Sequence, residues 1–544
     1  MGAITSNMPR PADPESTVAP SPDALHTAGM VSSWKPRVRR IASWVLSTLA
    51  LGFAYSQSPL YTSNQNQYFL HAAARAGIGF LSQDWLANTA DPTPVFSWIV
   101  EWTFRLFPPA AFYLEYLALI GVYLAALWLL ADAARRLRGS GLRSLLFLTL
   151  LILFNSAALR LVQSRVLGES WEYLWDGGLA GQRLLGPVLQ PSVFGVFLLL
   201  SVALFVRGRP MWASALAALA ACVHPTYLVS AALLVLSYAL LEWRRARRLL
   251  PAVRIGLLAL LIVTPMLLYV GLVLGPTSPG ILAEAQRILV EDRIPHHALP
   301  AAWFDASSVA QLVLIAAAVY ITRRTRMAHV LILASLGGGL LTAMQLLTGS
   351  PMLALLFPWR ISTVLVPAST ALLIGWAADR AAIGIERRGP TAIRAARLVG
   401  PIAIGILALA GAAAFALRRS AQASDPAADL MQYVRAHAGA GDLYLIPPRL
   451  QEFRLATGAP ALADFKSIPY RDVDVLEWGE RIRFVGWFYR DDPEAVDCAL
   501  LDQAAQRYGV THAVLDEDLL ALRCPQVHRV YEDAHFALGI LQAP

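Results

Sequence analysis

The sequence predicts a polytopic α-helical membrane protein with about eleven transmembrane helices, followed by a soluble α/β domain at the C-terminus. Three observations predict this fold class. Of the 544 residues, 56% are hydrophobic and only 15% are charged, whereas soluble proteins carry about 25% charged residues. Long apolar runs alternate with short arginine clusters, and charged residues become frequent again only after residue 420. Most of the chain is therefore expected to lie in lipid rather than in water.

The N-terminal segment, residues 1–33, is rich in Pro, Ser, Ala and Asp and holds too few apolar side chains to order itself. We expect it to be disordered and cytoplasmic. The first apolar run follows four basic residues at positions 35–40, and no small-residue cleavage site follows that run. This pattern favours an uncleaved anchor over a signal peptide.

The membrane body is predicted over residues 34–419, because a helix needs about 20 apolar residues to cross a bilayer. The candidate runs are residues 41–57, 111–132, 142–160, 188–206, 211–224, 226–242, 253–274, 307–322, 328–347, 357–378 and 399–417. The fifth and sixth runs nearly merge and are divided by His224-Pro225. A proline at that point predicts a break between two helices.

The orientation of the chain follows from its arginines, which cluster after the second, fourth, sixth, eighth and tenth runs. Cytoplasmic loops carry an excess of Lys and Arg, so we expect a multi-pass protein of the bacterial inner membrane with a cytoplasmic N-terminus. The same pattern accounts for the formal charge of +8, and no basic module suggests nucleic-acid binding. The lipid bilayer is the expected partner.

The first outer loop, residues 58–110, repeats apolar and aromatic residues at helical spacing over Gln67–Ala76 and Val95–Leu106. We expect two amphipathic helices at the membrane surface. Trp85, Trp98 and Trp102 suit that interface.

The tail, residues 420–544, is predicted to be an extracytoplasmic α/β domain. Helices are expected at 425–438 and 493–508, strands at 442–447 and 511–515, and a hairpin at 528–541. Cys498 and Cys524 could form a disulfide if this domain faces an oxidising compartment.

Carboxylates in the outer loops are the first candidates for chemistry, as a general base or as ligands of a divalent metal ion. They are Asp84, Asp91, Glu101, Glu169, Glu172, Asp176, Glu284, Glu291, Asp292 and Asp305. Asp84 is the preferred catalytic candidate, since it lies between the two predicted surface helices. Capping of a helix by Asp84 is the competing interpretation.

Basic residues at the outer ends of the helices are candidates for binding a phosphate. Arg360 is suited to bidentate phosphate binding, although it could instead reach lipid headgroups. His224 could bind a phosphate or transfer a proton, or form a hydrogen bond within a tight turn. Arg160, Arg165 and Arg183 are further phosphate candidates on the same side.

The tail segment 446–480 contains charged and aromatic residues that could line a carbohydrate-binding, acceptor or lid surface, and they are Arg449, Glu452, Arg454, Asp464, Lys466, Glu477 and Trp478. A salt-bridged loop packed on the α/β core is the alternative. The sequence contains no Gly-rich phosphate loop, no Gly-x-Ser-x-Gly elbow and no His-Glu-x-x-His motif. The commonest hydrolases and nucleotide-driven transporters are thereby excluded.

These features together resemble the glycosyltransferase class C superfamily: a first helix, a long outer loop with Asp84-Trp85, many further helices and an outer α/β domain. More narrowly, the chain resembles bacterial multi-pass proteins without an assigned activity. That resemblance is carried by the tail series Pro447-Pro448, Phe453-Arg454, Phe465-Lys466, Pro469 and Glu477-Trp478.

The resemblance implies transfer of a sugar from a polyprenyl-phosphate donor to an extracytoplasmic acceptor. The superfamily's catalytic acid lies early in the first outer loop, where this chain has Asn64-Gln65-Asn66-Gln67. An amide cannot accept a proton as a general base. The hypotheses are therefore a glycosyltransferase that uses Asp84, a non-catalytic protein that binds a lipid-linked or polysaccharide intermediate, and a transporter or flippase.

Overall fold

The computed structural model describes the backbone of residues 22–490 and 498–542, with side chains from residue 38 onward. The chain divides into two compact units, residues 1–47 and 48–544. Part of the segment predicted to be disordered, residues 1–21, lies outside the described residues. Residues 22–33 belong to the first helix, so the predicted disorder does not extend through residue 33. Residues 23–33 contain no proline and include the good helix formers Ala, Leu and Met.

The helices of the described residues are, in chain order, α1 (Pro22–Tyr55), α2 (Asn64–Tyr68), α3 (Leu70–Arg75), α4 (Pro94–Leu106), α5 (Ala111–Arg135), α6 (Gly141–Phe154), α7 (Ala157–Leu167), α8 (Val196–Val206), α9 (Pro210–Val223), α10 (Leu228–Ala246), α11 (Leu249–Val273), α12 (Pro279–Arg287), α13 (Pro295–Ala298), α14 (Pro300–Trp303), α15 (Ala306–Thr322), α16 (Arg326–Thr348), α17 (Pro351–Leu355), α18 (Ser362–Arg387), α19 (Pro390–Ala423), α20 (Ala428–His437), α21 (Phe453–Thr457), α22 (Asp472–Phe488) and α23 (Ala499–Tyr508).

The membrane body is a bundle of apolar helices, and each of the predicted runs overlaps at least one of them; the run 142–160 covers α6 and the start of α7. Within the described part of the chain, 6 helices are long and apolar enough to cross a membrane, or up to 7 if the pair α6 and α7, bent by 48°, is one span. Helices α8, α9 and α15 are shorter apolar helices. The span that contains α18 is the most buried of the six. The prediction of a polytopic helical membrane protein is confirmed.

The first loop departs from the prediction in one of its two helices. Helix α4 exposes Trp98, Trp102 and Leu106 and buries Phe96 and Val100, as an amphipathic surface helix should. Helix α3 is buried almost completely, so the expected surface position is wrong for it. The reason is tertiary, because the tail covers this part of the loop and forms hydrogen bonds with it.

The tail forms a four-stranded sheet from β1 (Tyr444–Leu445), β2 (His512–Leu515), β3 (Val527–Glu532) and β4 (Ala537–Leu541) in the order β1-β2-β4-β3. Strands β1 and β2 are parallel, and β4 pairs with both β2 and β3 in antiparallel fashion. Helices α20, α22 and α23 accompany the sheet, which confirms an α/β tail. Of the predicted helix at 493–508, residues 493–497 lie outside the described residues, and Ala499–Tyr508 form α23. Cys498 and Cys524 form a disulfide.

The junction between membrane body and tail is continuous. The predicted boundary at residue 420 falls inside α19, which ends at Ala423. Residues 48–544 form one compact unit, so the tail packs with the loops of the bundle as part of the same body.

Candidate functional site

Asp84 does not face an open site. Its side chain is 0% exposed, and both carboxylate oxygens accept hydrogen bonds. Oδ1 accepts from the backbone N–H groups of Leu86 and Ala87, at 2.9 and 3.2 Å. Oδ2 accepts from Arg454 Nε at 2.7 Å and from the Ala461 N–H at 3.0 Å. A carboxylate offers about four acceptor positions, so none is left for a proton or a metal ion, and the expected role as base is wrong.

Arg454 and Trp478 are likewise engaged inside the protein. Arg454 is buried and lies between Asp84 and Asp464, with which it forms ion pairs. Trp478 is buried and donates from Nε1 to the Asp464 carbonyl oxygen at 3.3 Å. These contacts leave neither side chain free to bind an acceptor, and the expectation of a lid surface at these two positions is wrong. For this part of the segment the alternative of a packed, ion-paired loop is correct.

The amide stretch of the first loop is the second place where the tail docks. Gln67 donates from Nε2 to the Ile468 carbonyl at 2.8 Å and accepts from the Ile468 N–H at 2.5 Å. Ser467 Oγ donates to the Asn66 carbonyl at 3.4 Å. The amide stretch therefore contacts the tail through a reciprocal pair of hydrogen bonds between the Gln67 side chain and the Ile468 backbone.

A cavity of about 1390 Å³ opens between the first loop, the segment before α13, the end of α19 and the tail. Its basic lining residues are Arg293, His296, Arg419, Arg435 and Lys466, and its acidic ones are Asp425 and Glu452. The wall also contains amides and aromatic rings, at Asn66, Gln422, Gln432, Gln451, Tyr61 and Phe465. Positive charge exceeds negative charge in this wall, which favours an anionic ligand.

Lys466 and Arg293 form the centre of the basic wall. Arg293 donates from Nη2 to the Lys466 carbonyl at 2.9 Å, and its guanidinium lies 4.9 Å from the centroid of the Phe465 ring. The Arg293 Nε is buried and has no hydrogen-bond partner among the described residues. Burial, with the charges of Arg293 and Arg183, lowers the pKa of Lys466 to about 8. An anion bound here would relieve this mutual repulsion.

Arg183 extends the positive charge beyond the cavity wall. Its guanidinium lies 3.9 Å from the centroid of the Tyr173 ring. His296 and His297 lie near the same charges. Burial, Arg293 and Lys466 lower the pKa of His296, while burial and His296 lower that of His297 to about 3. Both imidazoles are therefore neutral at physiological pH and provide hydrogen-bonding groups rather than charges.

Arg360 and His224, both predicted as phosphate partners, are in direct contact. Arg360 Nη1 donates to Thr226 Oγ1 at 2.7 Å and lies 3.0 Å from His224 Nε2. Because arginine can only donate, His224 accepts at Nε2 and carries its proton on Nδ1. Arg360 Nε and His224 Nδ1 are buried and have no partner among the described residues. These two unpaired N–H donors lie in one buried cluster and are suited to donating hydrogen bonds to an anionic or strongly polar ligand.

Tyr68 and Tyr470 connect the Arg360 cluster to the tail. The Tyr470 hydroxyl lies 3.4 Å from that of Tyr68, whose ring packs edge-on against His224.

Three other predicted residues lie apart from this cluster. Arg160 is buried and donates to the backbone carbonyls of Asn155 and Tyr55, so it stabilises a helix junction. Arg165 is exposed on α7, and no described hydrogen bond, ion pair or ring contact joins it to Arg183, Arg360 or His224. Glu477 pairs with Arg481 at 2.7 Å along α22 and does not line the cavity.

Glu452 is the carboxyl group best placed to act in the cavity. Its side chain lines the wall, is partly buried, and forms no ion pair or hydrogen bond with another side chain of the described residues. Burial and the charges of Asp425 and Asp464 raise the pKa of Glu452. By contrast, Asp425 accepts from the Ala427 N–H at 2.8 Å and is engaged in a turn. Within the described residues, no group of three or more His, Cys, Asp or Glu side chains fits a metal ion.

Comparisons with known proteins give one family and a set of solved structures. A family described as a domain of unknown function (DUF6798) matches residues 426–485. This match contains the tail series from Pro447 to Trp478. No curated protein matches the chain significantly.

Two solved structures are similar over nearly the whole chain. The crystal structure of ArnT from Cupriavidus metallidurans bound to undecaprenyl phosphate is 14% identical, with a TM-score of 0.48, and the match covers 94% of this chain and 99% of that one. The crystal structure of ArnT from Cupriavidus metallidurans in the apo state is 16% identical, with a TM-score of 0.46, and covers 95% of this chain and 100% of that one.

Sequence reasoning did not name Arg293, named Glu452 only among the charged residues of the segment 446–480, and treated Asn66 as part of an amide stretch rather than as a site residue. Arg293 and Glu452 belong to charged stretches whose members look alike in the sequence, and Asn66 stands where an acid was expected. Only the meeting of distant segments distinguishes them, because each lines the cavity from a different part of the chain.

Proposed function

We propose that the cavity binds the phosphate of a polyprenyl-phosphate-linked sugar and that the protein transfers this sugar to an acceptor. The reaction would take place on the side of the membrane that the arginine pattern predicts to be extracytoplasmic. The observation that carries the proposal is the excess of basic side chains around Lys466 and Arg293 at the loop end of an apolar bundle. The resemblance of the sequence to class C glycosyltransferases supports the same chemistry.

A lipid-linked donor fits the position of the cavity. Its wall includes Pro109, just before the membrane helix α5, and Arg419, near the end of the membrane helix α19. A phosphate held there would leave its polyprenyl chain close to apolar helix surfaces. Arg293 and Lys466 would bind the phosphate, with Arg183 adding to the local positive charge.

The transfer step requires a proton acceptor, and Glu452 provides it. The acceptor hydroxyl oxygen attacks the anomeric carbon, and the bond between that carbon and the phosphate oxygen breaks. Polyprenyl phosphate leaves with the electron pair of that bond, stabilised by the basic wall. The hydroxyl proton passes to the Glu452 carboxylate, which burial makes a stronger base than an exposed glutamate.

Binding tests the first half of the proposal. The purified protein in lipid nanodiscs should bind undecaprenyl phosphate more tightly than the uncharged undecaprenol. The Arg293→Met/Lys466→Met double variant should lose at least about tenfold in affinity, since two charge-assisted contacts disappear. Arg287→Met is the matched control, because Arg287 is largely exposed on α12 and paired with Glu284. Equal affinity for the phosphate and the alcohol would contradict the proposal.

Transfer tests the second half. Membranes supplied with undecaprenyl-phosphate sugars should release undecaprenyl phosphate only when the protein is present, as followed by mass spectrometry. Binding without any release of undecaprenyl phosphate would support the second candidate, a non-catalytic protein that holds a lipid-linked intermediate. The engagement of Asp84 and the amides at residues 64–67 are the observations that favour this candidate.

A further inference from the structure

Asn66 is a buried amide that lines the same cavity as the basic wall. The residue is only 3% exposed, and its Oδ1 atom has no hydrogen-bond partner among the described residues. A buried amide oxygen without a partner costs free energy in the folded state. A ligand in the cavity that supplied the missing donor would remove this cost.

Hydrogen bonds with the tail fix the backbone of Asn66 and the side chain of its neighbour Gln67. The Asn66 carbonyl accepts from Ser467 Oγ at 3.4 Å, and the neighbouring Gln67 side chain is paired in both directions with Ile468. Ser467 and Ile468 of the tail therefore hold residues 66 and 67 next to the segment that contains Lys466. Arg293 donates to the Lys466 carbonyl, and Asn66, Arg293 and Lys466 all line the same cavity.

We propose that Asn66 binds a hydroxyl group of the sugar directly next to the phosphate held by Arg293 and Lys466. The inference rests on the proposed function and adds to it a subsite for the sugar. An amide oxygen accepts from a hydroxyl group, and the amide N–H₂ can donate to another. Because the amide is neutral, it makes these bonds without neutralising the adjacent cations.

The neutrality of Asn66 explains why an acid is unsuited to this position in this chain. A carboxylate at position 66 would attract Lys466 and Arg293 and compete with the phosphate for them. Glu452, which lines the cavity from the tail, accepts the proton in this arrangement. Asn66 therefore binds the sugar, and Glu452 acts as the base, in the same cavity.

The test compares undecaprenyl phosphate with the same lipid carrying each of a panel of hexoses, all bound to the full-length protein in nanodiscs. The wild type should bind at least one glycosylated lipid more tightly than the bare lipid. Asn66→Ala should weaken binding of that lipid about tenfold and change binding of undecaprenyl phosphate less than about twofold. Asn66→Asp should weaken both, because its charge opposes the phosphate.

Two controls keep the outcomes distinct. Asn88→Ala removes an amide from the same loop that does not line the cavity and should leave both affinities unchanged. Asn66→Ala breaks no described side-chain hydrogen bond, and thermal unfolding should show that it folds as the wild type does.

Three outcomes would overturn the inference while the phosphate site stands. They are an equal loss of affinity for both lipids, no loss of affinity for either, and no preference of the wild type for any glycosylated lipid. Failure of the wild type to bind undecaprenyl phosphate at all would instead reject the proposed function.

Discussion

Arg454 of the tail donates from Nε to Asp84 of the first loop at 2.7 Å, although 370 residues separate them in the sequence. Both side chains are almost fully buried, at 3% and 0% exposure. Asp464 lies on the other side of the guanidinium and completes a buried acid–base–acid arrangement. The arrangement holds the tail on the loop that forms one wall of the cavity, so the stability of this contact and the shape of the cavity are linked.

Replacing Arg454 by Met should destabilise the protein by about 3–5 kcal/mol, because two buried carboxylates lose their partner. Thermal and chemical unfolding in detergent would measure the effect. Arg449→Met is the matched control, since the Arg449 side chain is 63% exposed and forms one ion pair with Asp516. Exposed pairs contribute about 0–1 kcal/mol, so equal effects of the two variants would contradict the role of Arg454.

Gly79→Ala should separate the loop from the tail more than Gly77→Ala does. Both glycines have positive φ, +52° and +77°, so an alanine at either position is strained by about 1–2 kcal/mol. A Cβ at Gly79 would lie 2.4 Å from the Gly458 carbonyl oxygen, whereas a Cβ at Gly77 meets nothing within 4 Å. The overlap should add about 1–3 kcal/mol. Unfolding of the two variants side by side checks this, and equal stability would argue against the close backbone contact.

Binding of undecaprenyl phosphate should weaken as the pH rises above about 8. Burial and two neighbouring arginines lower the pKa of Lys466 to about 8, so its ammonium is charged below that pH and becomes neutral above it. The dissociation constant measured across pH 6 to 10 should therefore rise on the alkaline side, by about tenfold or more for loss of one charge-assisted contact.

Lys466→Arg is the control for this pH dependence, because guanidinium stays charged throughout this range. The variant should bind with a flat alkaline profile even if its affinity is lower. The same alkaline weakening in Lys466→Arg would show that another group is responsible.

Glu452→Gln should reduce sugar transfer by at least about 100-fold while leaving donor affinity within about twofold, since general-base catalysis contributes about 10²–10⁴-fold. Burial raises the pKa of Glu452, so wild-type transfer should fall as the pH decreases through that raised value. Glu477→Gln removes a carboxyl that pairs with Arg481 outside the cavity wall and should retain full activity. Transfer by Glu452→Gln at the wild-type rate would exclude this residue as the base.

The sequence by itself determined the membrane body and the outline of the tail. The length of an apolar run is a local property, and about 20 apolar residues form a helix that crosses the bilayer. Predicted runs such as 111–132 and 357–378 overlap single helices of the bundle. The break at His224-Pro225 was equally local, because proline removes a backbone donor. The strands at 444–445 and 512–515 and the hairpin were recognisable from short alternating patterns.

The tertiary structure alone decided which polar residues are free to act. The sequence made Asp84 a candidate base, whereas in the structure its Oδ2 atom accepts hydrogen bonds from the Arg454 guanidinium and the Ala461 N–H. The sequence showed Asn66 only as one of several amides and Glu452 only as one of several charges, and the cavity brings both together with Lys466. The physical reason is that the burial and the hydrogen-bond partners of a polar side chain are set by residues hundreds of positions away in the sequence. A local sequence pattern contains no information about those residues.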